Sequence, residues 1–466
     1  MTVQIVWFRD ALRIADHPAL LAASRAGRVL PIVIEEEDAD SGSARAWWRE
    51  RQIDALAADL ERLGSPLVRR RGAAVPVLEK MAAECGASAI YGTRALDPAG
   101  SSDQTVLARI LEPAGIRFLR YPGQTLWEPE DIATGSGMPY RVFTPFWKAC
   151  AQRPSPAQPV PAPTELVPPE RRFPSDEAAC RMRRPVHPWT TKLDRHWSPD
   201  EASGLLRLSR FVDTDIRAYA ERRDLPAEPG TSSLSPWLAN GGISVRQAWW
   251  AAMEACSGRP DPGTETWLRE LGWREFGWHL LHHFPHTLDQ PLDTRQADFP
   301  WRQAPEERLA WQRGRTGFPV VDAGMRQLWA TGWMHNRVRM IVASFLVKDL
   351  LLPWQEGASW FMDTLVDADP ASNTLGWQWA AGCGADAAPF FRIFNPTTQA
   401  RKFDPEGRYI ARWVPELADL PAEWRHEPAA APPLARIAAY PAPMVDHAAA
   451  RRRALAVLAD RRGAMS

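Results

Sequence analysis

Short apolar runs alternate with longer segments of helical period along the first 125 residues. Val3–Phe8, Val29–Ile34, Pro66–Val68, Ala87–Tyr91 and Ile116–Arg120 read as strands, with helical patterns such as Ala44–Leu63 and Ala74–Cys85 between them. Alternation at this spacing predicts a doubly wound parallel sheet, because strands buried on both faces need helices on each side. The turn after the first strand reads FRDALRIAD and lacks GxGxxG, which argues against a dinucleotide site of the usual kind there. From Gly123 to about Pro199 the periodicity dissolves. Prolines crowd Pro154, Pro156, Pro159, Pro161, Pro163, Pro168 and Pro169, which predicts a linker in extended form across the surface. Beyond it the chain reads almost wholly helical, down to an Ala- and Arg-rich tail helix at Ala448–Arg462. The expected organisation is an α/β domain at 1–125, a proline-rich linker at 126–203 and an all-α domain at 204–466.

Composition changes this picture in three places. Lys+Arg and Asp+Glu balance at 56 each, so overall charge does not point to a polyanionic partner and only local patches can. The five cysteines are scattered without a CxxC pair, which argues against zinc or iron–sulfur sites and suits a reducing cytoplasm. The start, MTVQIVWFRD, reads as a strand and not a signal peptide, and no apolar run reaches membrane-spanning length; a cytoplasmic monomer is expected. The unusual count is 23 Trp. It fits large aromatic cores, or else stacking on a planar cofactor or on bases, or electron relay.

Several segments could carry chemistry. GTSSLSPWLANGGIS (Gly230–Ser244) places clustered hydroxyls ahead of a helix, as a phosphate site or as ordinary N-caps. In WLRELGWREFGWHLLHHFPH, Glu270 and Arg274 are i,i+4 neighbours beside Trp273, which on its own is an ordinary ion pair with a core Trp. The histidines His279, His282, His283 and His286 lack an HExxH or carboxylate pattern, so no metal is expected. In TGWMHNRVRM, Asn336 and Met340 share a helix face that Arg337 and Arg339 flank. Between Trp301 and Lys348 eight basic residues face three acidic ones, and Arg171–Arg195 holds seven against three. Basic residues interleaved with Trp suit a nucleic-acid surface, and equally a pair of solvated helix faces. Asp367, Asp369 and Asn373 stand in an apolar, Trp-rich stretch and need partners.

At these residues the chain resembles the DNA photolyase/cryptochrome family. The resemblance runs from VWFRDALRIADHPAL through MPYRVFTPFWKA and TGWMHNRVRM to GWQW and DAAPFFRIFNPTTQARKFDPEGRYI, essentially the whole chain. It is most like the microbial photolyases of cyclobutane pyrimidine dimers. The resemblance implies an α/β domain linked to a helical domain that holds FAD. It places Thr231, Ser232, Ser233, Leu234 and Ser235 in the phosphate clamp, with Tyr219, Trp267, Arg274 and Asn336 also against the cofactor. Arg339 and Asp367 match the charge pair beside the isoalloxazine, Asp369 a neighbouring flavin or ribose contact, and Asn373 the residue facing flavin N5, where an amide favours the reduced states that repair needs. Trp377, Trp354 and Trp301 match the photoreduction chain. Glu270, Trp273, Asn336, Arg337, Met340 and Trp379 match the lesion pocket, and Arg223 a DNA contact.

The implied activity is blue-light-driven repair, in which excited reduced FAD passes an electron to a dimer flipped out of DNA. Flipping costs about a few kcal/mol, less at a damaged site. Glu270 and Asn336 would hydrogen-bond the dimer, with Glu270 partly protonated once the lesion desolvates it. His335–Asn336 stands where the (6-4) photolyases carry a His pair, which favours cyclobutane dimers. The alternative is a blue-light photoreceptor of the cryptochrome type; Asn373, the HNR motif and the short chain after the last helix favour repair. Two departures from the family pattern stand out. FRDALR replaces the usual RRDLR near Asp10 and Arg13. The folate-binding Glu of the antenna region is Leu96 here, and the acidic run Glu35, Glu36, Glu37 and Asp38 would repel a polyglutamyl folate. The resemblance therefore leaves the second chromophore open and argues against a folate.

Overall fold

The computed structural model describes residues 1–36, 42–176, 189–387, 392–433 and 437–465, with side chains to residue 460. Part of the acidic run, the 171–195 basic window and the DAAPFF segment lie outside the described residues. By contacts the chain divides into two compact units, one of 1–217 with 232–285 and the other of 218–231 with 286–466.

The first unit is built on five parallel strands, β1 (Val3–Trp7), β2 (Arg28–Glu35), β3 (Val68–Arg71), β4 (Ala87–Thr93) and β5 (Arg117–Tyr121), in the order β3-β2-β1-β4-β5. This is the doubly wound sheet the alternation predicts. Helices α1 (Pro18–Ala26), α2 (Ala44–Arg62), α3 (Ala74–Cys85) and α4 (Pro98–Leu111) follow the first four strands, and two apolar clusters form on the sheet. One strand moved: Pro66–Val68 was expected and Val68–Arg71 pairs, with Ile32 opposite Val68. The apolar pattern stops at three arginines, but an edge strand tolerates charge, and Arg69 is held by Asp54 of α2.

The departure FRDALRIAD fastens the loop after β1. Arg9 forks onto Asp97 (2.6 and 3.0 Å), which also caps α4 by accepting from Gly100 N. Arg13 is buried and donates to the carbonyls of Asp16, Gly241 and Gly123. Arg246 grips Asp16 through two bonds of 2.9 and 2.8 Å.

The proline-rich stretch is less structureless than its composition predicts. It contains a nine-residue helix, α5 (Phe143–Ala151), which buries Phe143, Phe146 and Cys150. That spacing is helical, but α5 is short and sits among prolines, so the period is easily missed. The longest helix of the unit, Pro262–His283, starts at Asp261, whose side chain accepts from Thr264 N, with Pro262 in the first turn where its missing N–H costs nothing.

The second unit is helical around one large cluster that includes Trp311, Trp354, Phe361 and Trp377. Two features escaped the helical period. Residues Phe345–Asp349 form a π-helical turn. Leu351, two residues on, has φ of 57°, a strained conformation for a side-chain-bearing residue. Among the described residues no helix is long and apolar enough to cross a membrane.

Candidate functional site

In the first unit the Pro262–His283 helix presents Trp267, Glu270, Trp273 and Arg274. Trp267 is buried against Phe211, with ring centroids 5.5 Å apart. Glu270 and Trp273 are half-buried. Trp273 lies flat on Phe143, at 3.7 Å between centroids and 8° between planes. Arg274 donates to the Gln124 carbonyl at 2.6 Å and to Glu275 at 3.2 Å. Its guanidinium is therefore committed to the 124–127 segment. Glu275, which the sequence reading passed over, is the buried anchor of that junction. Its other oxygen accepts from Leu126 N at 2.6 Å, and burial pushes its carboxyl up to about 7 despite the Arg274 charge.

The histidines of this helix serve packing. His279 accepts from Tyr140 N, His282 lies 3.1 Å from Glu130, and His283 sits 3.2 Å from the Pro129 carbonyl.

The hydroxyl segment has strained geometry. Ser233 sits at φ 49°, in the left-handed region. Leu234 is buried, and Ser235 opens the short helix Ser235–Ala239. Ser232 and Ser233 are half-buried. Thr231 belongs to the second unit. There Gly230 fits only without a side chain, since a Cβ would meet Arg222 Cβ and carbonyl oxygen at 2.7 Å. Tyr219 of the same unit is buried under Arg223, whose guanidinium lies 5.4 Å from the ring.

The second unit brings the remaining polar candidates onto two helices. Asn336–Ser344 begins at His335, whose Nδ1 accepts from Arg337 N at 3.2 Å; burial lowers that imidazole to about 4 and keeps it neutral. From this helix Arg339 reaches Asp367 at 2.7 Å and the Met334 carbonyl at 2.8 Å. Asn336 is exposed, and Arg337 and Met340 are half-buried with Nη1 to Sδ at 3.6 Å. Arg337 also pairs with Asp224 at 2.7 Å and covers the Phe403 ring. Asp224 and Phe403 were not anticipated. The second helix, Pro370–Ala381, is capped by Asp369, which accepts from Ser372 N at 2.6 Å. One turn in, Asn373 donates Nδ2 to the Ala358 carbonyl at 3.0 Å, so its amide oxygen is the group it presents. Trp379 is half-buried beside Phe394.

Trp354 and Trp377 are each 2% exposed within the same core, and the half-buried Trp301 packs against it. Trp377 lies edge-on to Phe361 at 5.0 Å and Trp311 at 6.1 Å. Its indole presses on the Trp354–Thr364 helix at Gly357, where a Cβ would come within 2.1 Å of the ring.

In the basic window from Trp301 to Lys348 five of the eight cations are ion-paired, while Arg313 and Arg315 are exposed. Arg302, Arg308, Arg326, Arg337 and Arg339 pair with Glu307, Glu356, Glu416, Asp224 and Asp367. Lys348 is buried, donates to the Ala381 carbonyl at 2.8 Å, and is lowered to about 7 by burial. Four of the five acidic partners lie outside the window, so a local charge count could not see them.

With this geometry in place, similarity to known proteins is informative. Residues 4–164 match the family model described as DNA photolyase, and residues 267–460 the one described as the FAD binding domain of DNA photolyase. A deoxyribodipyrimidine photo-lyase of Agrobacterium fabrum is 44% identical over 98% of this chain and 97% of its own length. Cryptochrome-2 of Arabidopsis thaliana is 38% identical over 92% of this chain and 73% of its own. The crystal structure of a bacterial class III photolyase from Agrobacterium tumefaciens superposes with a TM-score of 0.96 at 43% identity, covering 99% of this chain and 98% of that one.

Proposed function

The chain belongs to the DNA photolyase family and carries its FAD-binding domain, and from that premise we propose that it repairs cyclobutane pyrimidine dimers in DNA by blue light. The observation that carries this reading is the double use of one helix. Asn336–Ser344 sends Arg339 inward to the buried Asp367, while Asn336, Arg337 and Met340 stay at or near the surface. One helix thus supplies the cationic half of a charge pair for a cofactor and polar and thioether groups for a substrate.

The residues present fit FAD. Thr231, Ser232, Ser233 and Ser235 offer hydroxyl and backbone donors for its phosphates. The Arg339–Asp367 pair supplies a fixed charge couple for the ring edge, and the Asn373 amide oxygen supplies an acceptor for the N5 position. Bound FAD in its reduced form would supply, on absorbing blue light, one electron to the dimer and regain it once the dimer has split.

The protein's own part is binding and orientation. Trp273 in the first unit and Trp379 in the second each offer an apolar face to a flipped pyrimidine. Glu270 and Asn336 would each hydrogen-bond the dimer, and Arg337 is kept in place by Asp224. Arg223 contacts the DNA strand. Trp377, Trp354 and Trp301 would relay electrons from an external thiol reductant toward the cofactor. In the dark, the protein is expected to bind a duplex carrying one thymine dimer at least tenfold more tightly than the undamaged duplex, with Asn336→Ala erasing most of that preference. Equal binding of the two duplexes would leave the photoreceptor reading, which the similarity to cryptochromes supports.

A further inference from the structure

The MPYRVFTPFW segment carries a residue to which the repair reading gives no task. Phe143 opens α5, is fully buried, and lies parallel to Trp273 at 3.7 Å between centroids. Aromatic pairs usually sit at about 4.5–7 Å in offset or edge-on arrangements. At this distance the rings overlap face to face, and one face of the Trp273 indole is closed. Trp147, four residues on in α5, is also near-parallel to Phe143, at 6.3 Å and 9°. The backbone of the Pro262–His283 helix is shaped to admit it: a Cβ on Gly272 would come within 2.5 Å of the Trp147 ring. The Arg269 guanidinium lies 5.2 Å from the Phe143 ring.

Phe143 is thus a buried ring lying near-parallel to two half-buried indoles, Trp273 and Trp147. We propose that Phe143 is a positioning residue for substrate recognition: it fixes the plane of Trp273 so that a flipped pyrimidine adds the next layer to a pair of rings that is already stacked. An indole held this way loses little freedom when a base settles on it, and binding gains from that preorganisation. Phe143 itself touches neither base nor cofactor. The inference rests on the proposed binding of a flipped dimer at Trp273.

The test compares Phe143→Tyr, which keeps an aromatic plane, with Phe143→Leu and Phe143→Met, which fill the space without one. Binding of the thymine-dimer duplex, the undamaged duplex and oligothymidylate is measured in the dark, with FAD content and repair per absorbed photon at saturating substrate. Both aliphatic variants are expected to bind the dimer about tenfold more weakly, with FAD content, undamaged-duplex binding and repair per photon within twofold of the parent. Phe143→Tyr should restore dimer binding to within twofold. Dimer binding by Phe143→Leu equal to the parent overturns the proposal, as does an equal loss for both duplexes. If neither aliphatic variant folds with its FAD, Phe143 is a folding residue and the proposal falls. If the parent protein does not prefer the dimer, the repair reading fails. Phe143 is then judged on oligothymidylate, where the same contrast between Leu and Tyr must appear.

Discussion

Replacing Glu275 by Gln should make the protein gain stability relative to the parent as pH rises. The carboxyl is 3% exposed, and burial lifts it from an ordinary 4.5 to about 7 even with Arg274 beside it. A carboxyl raised on folding binds its proton more tightly in the folded state. Its contribution is therefore full below pH 4.5 and is lost as pH rises to about 7. At about 1.36 kcal/mol per pH unit the loss amounts to roughly 3 kcal/mol. His279 and His335 act in the opposite sense. Both are lowered from 6.5 to about 4 by burial, so their contribution is present above pH 6.5 and is lost as pH falls through 4. Subtracting variant from parent at each pH removes these terms. Urea unfolding followed by tryptophan fluorescence at pH 5, 6, 7 and 8 should show the stability of Glu275→Gln relative to the parent rising by about 3 kcal/mol across the range. Parallel profiles, with a difference constant to about 0.5 kcal/mol, would refute the assignment of a titrating buried carboxyl.

Other residues give equally direct expectations. Gly357→Ala puts a methyl where 2.1 Å separates it from Trp377, so the indole must retreat; overpacking of about 1–3 kcal/mol, less about 1 kcal/mol of helix propensity, should lower the urea midpoint, and photoreduction of oxidised FAD by an external thiol should slow. Wild-type stability and photoreduction in that variant would show that Trp377 does not depend on this contact. Arg339→Gln removes the ion-pair partner of Asp367, a change that costs about 3–5 kcal/mol where the remaining charge is buried, and purified protein should lose most of its FAD absorbance. Asn373→Ala should let the reduced flavin reoxidise faster in air, and an unchanged reoxidation rate would remove the amide from that role. Trp301→Phe should abolish steady-state photoreduction while leaving dark binding of the dimer duplex intact, which separates electron supply from recognition.

Local patterns along the chain carried most of the fold. Strands buried on both faces and helices with a clear period stand where the apolar spacing puts them, as Ala74–Cys85 does. What escaped has a physical reason in each case. The third strand is an edge strand, so three arginines could occupy it without breaking the sheet. Helix α5 hides among prolines because its buried face comprises only Phe143, Phe146 and Cys150. For the site, the family resemblance named Arg337 and Asn373 and paired Arg339 with Asp367, but it gave no partner for Arg337 or Asn373. Asp224 pairs with Arg337 across 113 residues of sequence, and Ala358 fixes Asn373 through a carbonyl that every residue possesses. Charge counted along the basic window likewise ignores acids that folding brings in from elsewhere, such as Glu416 and Asp224. The tryptophan count had two meanings from the start, and position separates them. Trp48 and Trp237 cross at 4.9 Å in a buried cluster of the first unit, as ordinary core, whereas Trp273 is half-buried and stacked on Phe143.

Repair by light is directly observable in the absorbance of the substrate. The purified protein with its FAD reduced is mixed with an oligonucleotide containing a cyclobutane thymine dimer and illuminated with blue light, while absorbance is followed in the band where intact thymine absorbs and the dimer does not. The account predicts that absorbance rises to the level of the undamaged oligonucleotide, with many dimers repaired per protein and no change in the dark. Absence of recovery under illumination, with the FAD confirmed as reduced and the oligonucleotide confirmed as bound, would contradict it.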